Sequence, residues 1–286
     1  MELTKIKYFF EMIKIEHTLF SLPFVYMGAF LAYNTVPSVK TLILITLALF
    51  SGRVTAMVAN RVIDVEYDKK TPRTMNRHIP AGKISKKAAY SIIAASSLLF
   101  FITVYFINVT SFILSFVLVP LFIIYSFMKR FTYLSHFGLG VIEGVVPVGG
   151  WIATTGNIHS IFSPVLILIF VSVVLWQAGF DIIYSIQDVE TDLKIGVHSI
   201  PVRFGITNAL IISLITHIFM GIFLTMLLIW IKTAYLAIGI AVIWLLIAYE
   251  HSIVNKDHLD RINFAFFHVN ITIAFVLFIS IIASGL

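Results

Sequence analysis

The chain of 286 residues contains no cysteine, which excludes disulfides, thiolate nucleophiles and cysteine metal sites. Charge is also scarce: Asp, Glu, Lys and Arg supply 12% of the residues, against 59% that are hydrophobic, and mean hydropathy is +1.00. A soluble domain carries about 25% charged residues, so this composition excludes one and points to a polytopic membrane protein. No polar stretch is left over for a separate soluble module, and a single intramembrane domain over 1–286 is expected. The first apolar run has no small-residue cleavage site after it, so a retained first span is expected in place of a removed signal peptide.

The few charges are unevenly placed. The formal net charge is +6, which in an apolar chain reads as topology and contact with anionic bilayer lipid, with no nucleic-acid partner. An amphipathic interfacial helix is expected over 1–17, where Tyr8, Phe9, Phe10 and Ile13 alternate with charges. Nine spans then follow, roughly 18–35, 40–61, 87–108, 111–128, 135–155, 162–183, 206–230, 234–253 and 262–284. Sixteen of the 20 Lys and Arg precede the first span or follow the second, fourth, sixth and eighth, while the opposite loops hold only Lys40 and Lys232. Cations mark cytoplasmic loops, so the N-terminus is expected in the cytoplasm and the C-terminus on the opposite side.

Seven of the 14 acidic residues fall in two short stretches that close even-numbered spans. Asn60, Asp64 and Asp68 recur every four residues, and Asp181, Asp188 and Asp192 are spaced seven and four apart, so each set shares a face if its helix continues. Each stretch leads into a loop with Gly and Ser, at 63–86 and 184–205, a repetition that suits two four-helix pseudo-repeats around a central cavity. Glu66 and Glu190 lie off the stripes and are expected in solvent or hydrogen-bonded behind the metal ligands, not as ligands themselves. The nine His show no metal-ligand spacing, and His17, His78, His198 and His268 are expected at the interface or in hydrogen bonds.

Facing carboxylates suit Mg2+, which prefers oxygen ligands and completes its shell with substrate phosphate. Arg73, Lys129, Arg130 and Lys194 lie on the same side and can grip a polyphosphate. For a protein buried in lipid, the fitting substrate is a polyprenyl diphosphate, its tail in the bilayer and its head at the aqueous face. Departure of diphosphate leaves an allylic cation that aromatic faces can stabilise, and Tyr125, Phe127, Tyr133, Trp176, Phe180 and Tyr184 are near in sequence. Asp181 is the candidate base for the acceptor's proton. Arg53, seven residues before Asn60, shares its helical face; its partner is either an acceptor carboxylate or Glu143.

Three separated segments resemble the UbiA superfamily of intramembrane prenyltransferases: Asn60-x3-Asp64-x3-Asp68 with its Thr71-Pro72-Arg73-Thr74 tail, Tyr125-x3-Lys129-Arg130, and Asp181-x2-Tyr184-x3-Asp188-x3-Asp192. The resemblance implies a nine-helix all-α bundle, with Asp64, Asp68, Asp188 and Asp192 as Mg2+ ligands and Lys129 and Arg73 on the diphosphate. Asp181 matches the extra acid before the second motif, and Arg61 stands where many members carry Asp. Asn60, Tyr125, Tyr184, Arg53, Arg130 and Lys194 complete the candidate substrate-binding set. Thr18-Leu19-Phe20-Ser21 and Gly149-Gly150-Trp151 look most like the 4-hydroxybenzoate polyprenyltransferase branch, which implies a small aromatic acid acceptor. A menaquinone-pathway naphthoate or geranylgeranylglyceryl phosphate are the alternatives. A cation-coupled transporter is the rival of another class; its carboxylates belong near the bilayer midplane, whereas these sit at span ends beside a basic loop.

Overall fold

The computed structural model describes residues 2–256 and 259–285, and all regular structure among them is helical. Ten helices carry the fold: α1 (Glu2–Met12), α2 (Thr18–Leu31), α3 (Val39–Ile63), α4 (Lys86–Ile107), α5 (Val109–Ile124), α6 (Ser135–Thr155), α7 (Pro164–Ser185), α8 (Ile200–Met226), α9 (Ala234–Ile253) and α10 (Asn270–Gly285). Short helical turns extend several of them. Among the described residues, eight of these units, α3 to α10, are long and apolar enough to cross a membrane.

Of the nine expected spans, eight meet these limits, and the first, α2, is a shorter apolar helix. α2 has 14 residues, which at about 1.5 Å per residue reach about 21 Å, less than an apolar core of about 30 Å. The sequence expectation ran on to residue 35, but the chain turns after Leu31, with Asn34 in the left-handed region at φ 53°. α8 is broken at Gly205 (φ 80°), which is why its apolar run begins only at Ile206.

α2 lies against α6 at backbone contact. A Cβ on Gly28 would stand 1.9 Å from the Pro147 carbonyl oxygen, and one on Gly150 would stand 2.0 Å from that of Val25. Small residues are required where helix backbones approach this closely. The approach brings Ser21 of α2 toward Glu143 of α6. Farther along α2, Phe20, Phe24 and Met27 pack with Trp176 and Phe180 of α7 in the largest apolar core.

α1 ends at Met12, and Lys14 takes a left-handed conformation (φ 49°) before a turn at Ile15–His17. Met12 and Ile13 pack on Val58, Val62 and Ile79, so the N-terminal segment lies across the end of α3. Met1, Asp257, His258 and Leu286, and the side chains of residues 2–6 and of His17, are outside the described residues.

Both acidic segments break their helices. α3 stops at Ile63, Asp64 takes φ −88° and ψ 0°, and a single turn follows at Val65–Asp68. α7 ends at Ser185, tightens through Ile186–Asp188 and resumes at Val189–Ile195. A continuous helix through either motif is thus corrected. The first stripe survives because Asp64 N–H still donates to Asn60 O at 2.9 Å and Asp68 N–H to Asp64 O at 2.8 Å. The two loops then use one device: Gly82 and Gly196 both adopt φ 73°, and Ser85 and Ser199, each three residues on, cap the next helix by accepting from Ala88 N–H and Val202 N–H.

Candidate active site

Two connected cavities occupy the bundle. The larger, of about 1100 Å3, runs between α2, α3, α5 and α6, and the smaller, of about 230 Å3, lies among the two acidic motifs. Asn60, Arg61, Arg73, Tyr125, Asp181 and Tyr184 line both. Asp64, Asp68, Asp188 and Asp192 all line the smaller one, with Lys129 and Arg77. Residues more than a hundred positions apart thus share one polar chamber.

Each carboxylate but one is held by a cation. Lys129 Nζ donates to Asp64 Oδ2 at 2.6 Å, and Asn60 Nδ2 donates to the same oxygen at 3.0 Å. Arg77 donates to Asp68 Oδ1 at 2.7 Å. Arg73 forks onto Asp188, with Nε to Oδ1 at 3.0 Å and Nη2 to Oδ2, while its Nη1 donates to the Tyr184 hydroxyl at 2.9 Å. Asp192 has no such partner among the described residues. Burial pushes the Asp64 carboxyl above the usual carboxylate range, and Lys129 opposes the rise. Burial disfavours the Arg73 charge, but its hydrogen bonds to Asp188 overcome this and raise its pKa.

The donor set fits a hard divalent cation. Asp64 Oδ1 and Asp68 Oδ2 are buried and make no hydrogen bond among the described residues, and both side chains line the smaller chamber. Uncompensated carboxylate oxygens beside water and phosphate space are what Mg2+ takes. Asp64, Asp68, Asp188 and Asp192 would hold it.

Asp181 sits where the chambers meet. His136 Nδ1 is 2.7 Å from Asp181 Oδ2, and the His136 Nε2 accepts from Ile200 N–H at 3.3 Å. That backbone donor leaves Nε2 unprotonated, so the proton is on Nδ1 and points at Asp181. His136 is buried at the first turn of α6 and had no signature in the sequence, because its partners come from α7 and α8.

In the larger chamber, Arg53 Nη1 donates to Ser21 Oγ at 3.1 Å, and Glu143 lines the same chamber. Glu143 supplies the main opposing charge to Arg53, with no direct ion pair between the two among the described residues. Among the described residues Arg53 Nε and Glu143 Oε1 have no hydrogen-bond partner, and Ser21, Arg53 and Glu143 all line the chamber. Phe20, Phe180 and Phe266 form an aromatic wall beside them, with Tyr184 and Phe266 ring centres 4.2 Å apart.

Several expected residues are elsewhere. Lys194 is exposed and lines neither chamber, because it stands about 200° around its helical turn from Asp192. Arg130 donates to the Ile63 carbonyl at 2.6 Å and stacks on Phe127 and Tyr67, so it anchors the end of α3. Phe127 and Tyr133 are exposed and Trp176 is in the apolar core, so of the six expected aromatics only Tyr125, Phe180 and Tyr184 line the cavities. Glu66 pairs with Lys69 and Lys86 in solvent, which holds its carboxyl below the usual range. Arg77, His136, Phe20 and Phe266 are the residues that sequence reasoning left out of the site.

A polytopic helical bundle with two aspartate motifs closing on one polar chamber, above a long apolar one, defines the class. The chain belongs to the UbiA prenyltransferase family, which it matches over residues 21–276. It is 29% identical over 243 residues to the 4-hydroxybenzoate octaprenyltransferase of Alkalilimnicola ehrlichii, a match covering 85% of this chain and 82% of that protein. Among solved structures it is similar to the apo UbiA homolog from Aeropyrum pernix K1, with a TM-score of 0.86 and 30% identity over 95% of this chain and 99% of that one. The UbiA homolog from Archaeoglobus fulgidus bound to GPP and Mg2+ shares the fold, with a TM-score of 0.72 at 16% identity over 94% and 99% of the two chains.

Proposed function

We propose that this protein transfers a polyprenyl group from a polyprenyl diphosphate to a small aromatic acid of the 4-hydroxybenzoate type. The observation that carries it is the junction of the two chambers: four aspartates, Lys129 and Arg73 on one side, and an apolar tunnel with a half-buried Arg53 on the other. The curated relative named 4-hydroxybenzoate octaprenyltransferase supports the aromatic acceptor.

Arg73 and Lys129 bind diphosphate oxygens, Arg73 through its fork and Lys129 as a point charge. Bound at the four aspartates, Mg2+ supplies charge that stabilises diphosphate as it leaves. The allylic cation that remains faces Tyr125, Phe180 and Tyr184. Arg53 receives the acceptor carboxylate, which orients the ring carbon toward that cation. Asp181, held by His136, takes the ring proton after the new C–C bond forms.

The charge asymmetry of the loops supports a cytoplasmic N-terminus and active-site face, with the C-terminus opposite. A single catalytic domain over 1–286, with the loops at 63–86 and 184–205 as its active-site walls, accords with the lining of the smaller chamber.

The test is turnover in liposomes with geranylgeranyl diphosphate and Mg2+, offering radiolabelled 4-hydroxybenzoate, dihydroxynaphthoate and geranylgeranylglyceryl phosphate in parallel, with an EDTA control. A prenylated 4-hydroxybenzoate lost with EDTA is expected. Product only from another acceptor overturns the aromatic-acid assignment, and absence of diphosphate binding overturns prenyl transfer.

A further inference from the structure

A second polar cluster lies outside both chambers. His217 of α8 and Glu250 of α9 are fully buried, and His251 beside Glu250 is half-buried. His217 Nδ1 stands 3.0 Å from His251 Nε2 and 3.4 Å from Glu250 Oε2, and one ligand atom from each residue falls within 4.8 Å of the others. Donors around a tetrahedral ion with bonds of about 2.0–2.2 Å stand about 3.3–3.6 Å apart, a spacing that the separations here, from 3.0 Å to at most 4.8 Å, bracket.

The surroundings are arranged as they are around metal ligands. His217 Nε2–H donates to the Trp176 carbonyl at 3.3 Å, which leaves the Nδ1 lone pair facing the cluster. Glu250 Oε1 accepts from Asn270 Nδ2 at 2.6 Å, which leaves Oε2 buried without a hydrogen bond among the described residues. The Asn270 amide also donates to the Ala265 carbonyl at 3.1 Å, at the start of the π-helical turn Ala265–Val269. Such turns occur frequently at functional sites. The Asn270 carbonyl oxygen is likewise buried and unpartnered. Room for the imidazole is built in, since a Cβ on Gly179 would stand 2.3 Å from the His217 ring.

A carboxyl buried this deeply must keep its proton or take a cation, and among the described residues no Lys or Arg pairs with Glu250. We infer that His217, His251 and Glu250 form a binding site for a divalent transition-metal ion, zinc-like in its N2O donor set, that ties α8 and α9 to α7 and α10. It is separate from the aspartates that would hold Mg2+, whose all-oxygen set selects a harder ion. The 34-residue gap between His217 and His251 hides it from any reading of spacing.

The experiment is metal analysis of the purified full-length protein, stripped with EDTA, loaded with Zn2+ in excess Mg2+ and desalted. The same is done for D64N/D188N, which disables the aspartate chamber, and for E250Q and H251Q built on that background. About one Zn2+ per chain is expected in D64N/D188N, and less than about a tenth of that in either added variant. Equal zinc with and without E250Q or H251Q overturns the site. Should those variants fail to elute as folded protein, the Tm of D64N/D188N with and without Zn2+ decides it: a rise is expected, because an ion bound only by the folded state stabilises it, and no rise overturns the site.

Discussion

Arg73, in the loop after α3, grips both oxygens of Asp188, at the end of α7, so an ion pair closes the polar chamber from its two opposite walls. The pair joins one acidic motif's loop to the other acidic motif. In this arrangement a guanidinium occupies carboxylate oxygens that a metal ion would use, and substrate diphosphate offers it replacement acceptors.

R73A is expected to lower kcat/KM for the polyprenyl diphosphate by about tenfold to a hundredfold, the worth of about 1.5–3 kcal/mol for hydrogen bonds to a charged group. R73K keeps the charge and loses the fork, so it should recover part of the loss. Steady-state kinetics with varied diphosphate measure both.

D64N and D188N are each expected to reduce turnover by about a thousandfold or more, because metal charge stabilisation is worth several kcal/mol. Gel filtration should show folded protein, since Asn keeps the shape of each side chain. Prenyl transfer at saturating Mg2+ is the measurement, and near-normal rates in both would remove the aspartate-chamber mechanism.

H136A is expected to lower kcat more than either KM, because Asp181 loses the donor that orients it. H136N places an amide donor near the position of Nδ1 and should restore part of kcat. D181N, which removes the base itself, should cost about 10²–10⁴ in kcat. Single-turnover rates separate these effects from product release.

R53A is expected to raise the acceptor's KM more than the diphosphate's. It also leaves Glu143 buried without its counter-charge, which costs about 3–5 kcal/mol of stability. R53M/E143Q removes both charges and should recover most of that stability while retaining the raised acceptor KM. Thermal unfolding in detergent together with acceptor titrations distinguishes the two roles.

G28A and G150A should each destabilise the fold by about 1–3 kcal/mol, since the added methyl meets a backbone carbonyl across the α2–α6 contact. G149A, where a Cβ meets nothing within 4 Å, is the control and should leave Tm unchanged. Thermal melts of the three proteins make the comparison.

Much of the architecture was legible in local pattern. The apolar runs located α3 to α10 because a helix satisfies its own backbone in lipid and its length must match the bilayer. The span at 135–155 matched α6, which ends at the left-handed Gly156, and that at 234–253 matched α9, whose start Thr233 caps. α2 was overextended because Ala32 and Tyr33 are as apolar as the helix before them, and only the turn at Asn34 ends it. Lys194 was misplaced for a related reason: proximity in sequence to Asp192 does not put two residues on one face of a helical turn.

The sequence by itself determined the membrane class, the two aspartate motifs and the family they resemble, because each depends on residue type and short-range spacing. Tertiary structure decided which side chains meet. His136 finds Asp181, Arg53 finds Ser21, and His217 reaches Glu250 and His251 only when separate helices pack. Those encounters are fixed by helix crossings and by glycines that permit close approach. Such contacts have no period along the chain.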